Sequence, residues 1–301
     1  MISGLLYVDK PAGISSHDVV GVVRRAARSR RVGHAGTLDP FATGLLVLAI
    51  GPCTRLLPYI VGEPKVYEAT FSFGTETDTD DRTGTPLRTA AIPPLAVLAD
   101  PSSAVRLAAE RQLTGRIEQV PPAYSAKHVD GQRAYELARR GRDVVLEPVT
   151  IDVHRWEWLA GTDSAVTVRI TCGGGTYIRA LARDLGRLLD SAAHCSALRR
   201  IASGPAHVRD AVPYTALMPG AVADGSLPLR SPLEALGAVA RESLDDTDLV
   251  DLRHGRPVRA RHEGEWAAFL HAEQVIGMGR RNTNGRWQPT VVLLGADRAS
   301  S

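Results

Sequence analysis

Lysine is almost missing from this chain of 301 residues: Lys10, Lys65 and Lys127 are the only three, and the other 33 of its 36 basic residues are arginine. Cysteine is equally scarce. Cys53, Cys172 and Cys195 are odd in number and show no CxxC spacing, which argues against a disulfide framework and a zinc site and for a reducing compartment. No apolar run approaches the roughly 18 residues needed to cross a bilayer. The first residues lack a basic stretch followed by an apolar one and a cleavage site, so no secretion signal is read and a cytoplasmic protein is expected. Neither HExxH nor a Walker Gly-Lys-Ser/Thr occurs.

What is present is ordinary in amount and uneven in placement. Hydrophobic residues at 44% and charged residues at 23% suit a globular protein, and the length suits one large domain plus a small one. The arginines cluster. Arg24, Arg25, Arg28, Arg30 and Arg31 crowd a predicted helix and its exit; Arg139, Arg140 and Arg142 form a second group; Arg179, Arg183, Arg187, Arg199 and Arg200 form a third. A GC-rich genome explains a preference for arginine but not its placement. A net charge of +3 does not by itself require a nucleic-acid partner, yet three such clusters fit phosphate contacts. Each surviving lysine lies in a motif-like segment, Val8-Asp9-Lys10-Pro11, Pro64-Lys65-Val66-Tyr67 and Tyr124-Ser125-Ala126-Lys127, where a compact point charge is not interchangeable with a planar fork.

Periodicity predicts mixed α and β structure. Gly4 to Val8 reads as a strand, and Ser15 or Ser16 caps a helix from about His17 to Ala27 with Val19, Val20 and Val23 on its apolar side. Lys65 to Phe73 alternates as a half-buried strand, and acidic Thr75 to Gly84 reads as a loop. Ala104 to Leu113 and Tyr177 to Leu189 read as helices, Val149 to Leu159 and Ala165 to Cys172 as strands. Together they predict an α+β domain around a central, largely antiparallel sheet flanked by helices. The Pro-, Gly- and Ala-rich stretch Asp210 to Ser231 is a plausible boundary. Beyond it, Asp248 to Val258, Glu265 to His271, Val275 to Met278 and Thr290 to Leu294 read as short strands and turns of a small β-rich domain. The expected division is 1–230 and 231–301.

Two segments carry candidate chemistry. In Gly33-His34-Ala35-Gly36-Thr37-Leu38-Asp39-Pro40-Phe41-Ala42-Thr43-Gly44-Leu45-Leu46, one carboxylate sits in a small-residue loop ahead of a purely apolar stretch, Leu45 to Ile50. The glycines let backbone approach a ligand, and Pro40 holds Asp39 in extended backbone. Taken alone, an Asp-Pro turn is more often only a turn. In Thr171-Cys172-Gly173-Gly174-Gly175-Thr176-Tyr177-Ile178-Arg179, a glycine run separates a strand from a helix that Thr176 can cap. Arg179 leaves that hinge either as a surface arginine or as the partner of a carboxylate.

These motifs, with Leu6-Tyr7-Val8-Asp9-Lys10-Pro11-Ala12-Gly13-Ile14-Ser15-Ser16, Lys65-Val66-Tyr67-Glu68-Ala69, Val120-Pro121-Pro122-Ala123-Tyr124-Ser125-Ala126-Lys127 and Leu198-Arg199-Arg200, occur in the order seen in TruB-type tRNA pseudouridine synthases. The resemblance covers roughly residues 4–205. It implies the pseudouridine synthase fold, with a C-terminal segment that looks like the family's small RNA-binding PUA domain. It also implies isomerisation of uridine to pseudouridine at position 55 of the tRNA T loop, without metal or cofactor, by a chain needing no protein partner and expected to be a monomer.

By the same resemblance, Asp39 matches the essential aspartate. An ordinary aspartate, with a pKa of about 3.9, is ionised at neutral pH. An arginine neighbour would keep it so, which favours a nucleophile or a stabiliser of sugar cation character over a dedicated base. Tyr67 matches the active-site tyrosine, placed to stack on uracil; Tyr177 and Leu198 match pocket positions; Lys10 and Lys65 support the site or bind phosphate. From composition alone Tyr67, Tyr177 and Leu198 would be core residues. His34 matches the residue that fills the stack when the target base is flipped out. Residues 121–146 correspond to an insertion that clamps the T loop, with Arg133, Arg139, Arg140 and Arg142 as phosphate contacts, and Arg199 is a further RNA contact. Two other classes fit parts of the pattern: a non-catalytic RNA-binding or RNA-folding protein, and a small-molecule enzyme using Asp39 on a sugar or nucleotide. A related synthase acting on ribosomal or guide-directed RNA is the nearer alternative.

Overall fold

The apolar run Leu45 to Ile50 is buried throughout, and it lies in a strand covered on both faces. In a computed structural model that describes residues 2–60, 62–124, 128–129, 132–133, 146–218, 227–237 and 239–293, this strand is β3 (Thr43–Ile50). It pairs antiparallel with β1 (Gly4–Lys10). Successive side chains of a strand point to opposite faces. Leu6, Val8, Leu46 and Leu48 accordingly meet the valines of α1 (Ser16–Ala26), while Leu5, Tyr7, Leu45 and Val47 meet the 3-10 turn Gly51–Tyr59 and part of the C-terminal sheet. Helix α1 starts at a capping box in which Ser15 and Asp18 bond each other's backbone N–H, so Ser15 is the cap.

Chain order continues through β2 (Val32–His34), β4 (Lys65–Phe73), the hairpin β5 (Thr75–Thr77) and β6 (Pro86–Thr89), α2 (Ala96–Ala99), α3 (Ala104–Leu113), β7 (Gly115–Gln119), β8 (His128–Val129), β9 (Gln132–Arg133), β10 (Val149–Gly161), β11 (Ala165–Cys172), α4 (Ile178–Leu188), β12 (Ala193–Ser203), β13 (Ala206–His207) and β14 (Val212–Pro213). A ten-stranded sheet runs in the order β14-β1-β3-β12-β4-β11-β10-β7, with β2 beside β3 and β13 beside β12. All its pairings are antiparallel except β1 with β14 and β3 with β12. β12 joins the two halves. Arg199 and Arg200 sit opposite Thr43 and Gly44 on one side and opposite Glu68 and Tyr67 on the other. The main core lies between β4, β11 and β12 and helix α4, whose Ile178, Leu181 and Leu185 are buried there.

A four-stranded sheet follows, β15 (Ala240–Ser243), β16 (Trp266–His271), β17 (Gln274–Arg281) and β18 (Trp287–Val292). It is tied to the first by apolar contact (Ala268, Met278 and Val291 with Leu5, Leu45 and Leu56), by Arg55 donating to the Val292 carbonyl at 2.6 Å, and by Tyr59 stacked edge-on to Trp266.

Three expectations need correction. Asp248 to Val258, expected to be strand and turn, begins inside helix α5 (Asp246–Arg253), because Asp245 and Asp248 make a second capping box. Thr75 to Gly84, expected to be a loop throughout, begins as strand β5, and its Glu76, Thr77, Asp80 and Asp81 are buried. Thr176 does not cap helix α4; Tyr177 occupies the N-cap position without a side-chain cap bond.

Candidate active site

The loop bearing Asp39 is fixed by groups distant in sequence. The buried Ser16 hydroxyl accepts from the Leu38 N–H at 2.9 Å and donates to the Leu38 carbonyl at 3.1 Å. The Lys10 ammonium, fully buried, donates to the carbonyls of Ile14 (2.7 Å), Pro11 (3.0 Å) and Pro40 (3.3 Å). The Gly13 N–H also reaches the Pro40 carbonyl at 2.8 Å. From the other side the Arg200 guanidinium donates to the carbonyls of Leu45 (2.8 Å), Gly36 (3.1 Å) and Thr37 (3.4 Å). Gly44 makes this approach possible. At φ +100° a Cβ there would lie 2.3 Å from the Arg200 carbonyl oxygen.

The loop holds the Asp39 carboxylate, about one-third exposed, against Arg179. Arg179 Nε lies 2.9 Å from Oδ2, and Nη2 donates to Oδ1 at 3.3 Å, a fork-to-fork pair. The remaining donors of Arg179 go to the carbonyls of Thr79 (2.6 Å) and Tyr124 (3.1 Å) and to Asp81 at 3.5 Å. Both residues line the cleft, but the carboxylate is the exposed end of the pair and the guanidinium is buried. The charge of Asp81 is in turn spread over the Thr79 and Thr83 hydroxyls and the Thr83 N–H. Helix α4 repeats the arrangement at four-residue spacing: Arg183 pairs with Asp80 at 2.8 Å, and Arg187 donates to Glu76 at 3.2 Å.

For three of its five members this corrects the reading of the third arginine cluster as a phosphate-binding patch. Arg179, Arg183 and Arg200 are buried and spend their donors inside the protein. Arg199 is half-exposed, with both Nη atoms on Asp9 at 2.7 and 2.9 Å, so any RNA phosphate must share it with that carboxylate. The acidic residues Asp80 and Asp81 are site-region groups that sequence reasoning missed. The available signal was the match between arginines at 179, 183 and 187 and an acidic segment of similar length at 76–81.

A cleft of about 1060 Å³ opens over Asp39 and Arg179 and is also lined by Tyr67, Leu198, Tyr177, Lys65, His34 and Arg200. Tyr67 is buried on β4, and burial raises its phenol pKa against the opposing pull of Arg200, so it keeps its proton at neutral pH. Leu198 is on β12. The Tyr177 backbone is gripped at both ends by the buried side chain of Gln119, whose amide donates to the Tyr177 carbonyl at 3.1 Å and accepts from its N–H at 2.9 Å. Gln119 is another positioning residue that sequence reasoning missed. Burial lowers the pKa of Lys65, with Arg200 adding to the effect. His34 stays neutral, since burial, Arg200 and His17 all lower its pKa, and its Nδ1 is buried without a hydrogen-bond partner. Lys10 belongs to the loop anchor, with its ammonium committed to the three carbonyls above. Of the expected insertion, the side chain of Arg133 and all of Arg139, Arg140 and Arg142 lie outside the described residues.

The site therefore offers the Asp39 carboxylate held in a fixed direction, a protonated tyrosine, and a concave wall of aromatic and aliphatic groups suited to a planar base. The fold defines the class. Over 98% of its length the chain superposes on the protein in a crystal structure of a Cbf5–Nop10–Gar1 complex (TM-score 0.69, 20% identity, 86% of that chain covered). It also superposes on one in an H/ACA ribonucleoprotein bound to a substrate RNA containing 2′-deoxyuridine (TM-score 0.68, 19% identity, 86% covered). This is the fold of the pseudouridine synthases.

Sequence narrows it further. Residues 24–178 match the model of the N-terminal domain of TruB family pseudouridylate synthases. The chain is 46% identical to the tRNA pseudouridine synthase B of Leifsonia xyli subsp. xyli, over 84% of this chain and 83% of that one. It is 42% identical to that of Thermobifida fusca, over 98% and 100%. The chain belongs to the TruB family.

The anchor can be tested by its pH dependence. Burial lowers Lys10 from its ordinary 10.5 to about 8, with Asp39 opposing and Arg200 reinforcing the shift. Between those two values the unfolded chain binds the proton and the folded chain does not, so folding stability rises with pH through that window. Lys10→Met leaves buried carbonyls unpaired, at about 1–3 kcal/mol each, and should be less stable at pH 7. The deficit should widen by on the order of 3 kcal/mol between pH 8 and 10.5. Equilibrium unfolding at pH 7, 9 and 10.5 checks this, and a deficit independent of pH would contradict it.

Proposed function

We propose that this chain isomerises uridine to pseudouridine at position 55 in the T loop of tRNA, with Asp39 as its catalytic residue. The observation that carries the reading is the Asp39 carboxylate, fixed by Arg179 in a cleft whose other walls suit a nucleobase. The names of the full-length relatives support tRNA as substrate. In the reaction the N1–C1′ bond breaks, a C5–C1′ bond forms, and the proton on C5 is lost as N1 gains one. No atom is added or removed.

Such a reaction needs a group that tolerates or bonds the electron-poor C1′ while the base turns over. An ionised carboxylate does this as nucleophile or as electrostatic stabiliser. Arg179 aims Asp39 while leaving it about one-third exposed toward the ligand. The Tyr67 ring offers a stacking surface worth roughly 1–3 kcal/mol per base. Its protonated hydroxyl is available for proton movement at C5. A uridine in a folded T loop reaches this cleft only if it is flipped out, and neutral His34 at the rim fills the space it leaves. Lys65 supplies a basic group lining the cleft, and Arg199, Arg133, Arg139, Arg140 and Arg142 supply phosphate contacts. We read residues 1–230 as the catalytic unit and 231–301 as a PUA-like RNA-binding unit, in a monomer that acts in the cytoplasm without a protein partner. Among the described residues no helix is long and apolar enough to cross a membrane.

Asp39→Asn should bind an unmodified tRNA transcript with wild-type affinity and form no pseudouridine, read at single-nucleotide resolution; conversion by the variant would remove Asp39 from the chemistry. The triple variant Arg139→Ala, Arg140→Ala, Arg142→Ala should raise KM and reduce the slope of log affinity against log salt by about 1 for each phosphate no longer neutralised, with single-turnover chemistry preserved. An unchanged slope would count against those arginines as RNA-binding groups.

A further inference from the structure

Arg183 and Asp80 form a buried ion pair that does not touch the cleft and takes no part in the chemistry above. Asp80 holds left-handed backbone (φ +56°), and its carbonyl accepts from the Cys195 N–H at 2.9 Å, which ties the acidic segment to the bulge in β12. Arg183 makes two further bonds: Nε to Asp184 at 2.9 Å, and Nη2 to the carbonyl of Val120 at 2.8 Å.

That last bond completes a pattern. The stretch from Gln119 to Tyr124 is tied to the start of α4 at three levels: the Gln119 side chain grips Tyr177, Arg183 holds the Val120 carbonyl, and Arg179 holds the Tyr124 carbonyl. Pro121 and Pro122 between them are buried and restrict the backbone. Tyr124, at the end of the strap, lines the cleft. A shift of this strap therefore moves the part of the cleft wall that Tyr124 forms, while Arg179 keeps its bonds to Thr79, Asp81 and Asp39.

We propose that Arg183, oriented by Asp80, is a positioning residue for the reaction: it fixes the cleft wall 119–124 and so the placement of Tyr124 against the bound nucleotide. The proposal rests on the reading of the cleft as the uridine-modifying site. Arginine is required because one planar fork must satisfy a carboxylate and a carbonyl in different directions; a lysine can keep the ion pair but not both bonds in their present geometry.

Titration of the pair supports the assignment. Burial pushes Asp80 up to about 6 against the pull of Arg183 and Arg179, with Glu76 and Asp184 adding to the rise. Arg187 and Asp81 are the other charged groups of this cluster, and the Cys195 thiol beside it stays protonated. With a folded pKa above its ordinary 3.8, ionised Asp80 costs the folded state above pH 6. Asp80→Asn is therefore expected to stay folded at pH 7.5. As pH falls through about 6, Asp80 gains a proton and its hold on Arg183 weakens.

The test uses the full chain and unmodified tRNA transcript, with Arg183→Lys, Arg183→Met and Asp80→Asn. All three should raise KM about tenfold or more, while single-turnover rates at saturating tRNA stay within about threefold of wild type. Wild-type kcat/KM should fall below about pH 6, and Asp80→Asn should lose that limb. In Arg183→Lys the Val120, Ala123 and Tyr124 amides should exchange hydrogen faster, with β4 and β12 unchanged. Wild-type KM and wild-type exchange in the folded lysine and asparagine variants would overturn the proposal. So would a loss confined to Arg183→Met and accompanied by faster exchange throughout the chain, the mark of a purely structural pair. Should wild type form no pseudouridine in tRNA, the functional reading fails on its own, and exchange at Val120, Ala123 and Tyr124 still decides whether Arg183 fixes the wall.

Discussion

The fork between Arg179 and Asp39 is the contact on which the rest of the site depends. A carboxylate in a loop is free to rotate and to recruit water; one held by two guanidinium nitrogens presents a defined face. The arrangement is asymmetric in burial. Arg179 is almost wholly enclosed and Asp39 is open, so the protein meets the desolvation of the cation with two carbonyls and Asp81 and leaves the anion's free face to the ligand. Removing Asp39 leaves the buried cation with Asp81 and two carbonyls, and removing Arg179 frees a carboxylate that solvent already reaches. The interaction thus orders the site more than it stabilises the fold.

Both ends of the fork are placed by β12. Through Arg200 this strand fixes the loop that carries Asp39, and through Cys195 it fixes the acidic segment that completes the shell of Arg179. It lies parallel to β3 and antiparallel to β4, so the two halves of the sheet meet under the cleft. Chemistry at a seam between half-sheets demands a rigid seam. Gly44, which lets the Arg200 backbone come close, and the bulges of β12 are what permit that seam to close.

Much of this was legible in the sequence. Period-two alternation marks β4 and β11, helical spacing marks α4, and Ser15 or Ser16 marks the start of α1, where the structure selects Ser15. Asp39, Tyr67, Tyr177, Arg179 and Leu198 stand out from their motifs, and the structure gathers all five around one cleft. Long-range pairing was not legible. β12 reads as a mixed run with two arginines, and only its neighbours make it a central strand. Arg183, Arg200 and Lys10 carry the same charge as any surface cation, and their burial follows from carbonyls and carboxylates supplied by segments tens of residues away. Gln119 gives no local signal at all, since its role is to pair with the backbone of Tyr177 across the fold.

The most direct measurement of the central claim is the single-turnover rate of pseudouridine formation by Arg179→Lys at saturating tRNA, with tRNA affinity measured alongside. A lysine keeps the charge but cannot form the fork. Our account predicts a rate loss of about 100-fold or more with affinity close to wild type. A near-wild-type rate would show that charge alone suffices and that the fixed direction of Asp39 is not what the site is built to provide.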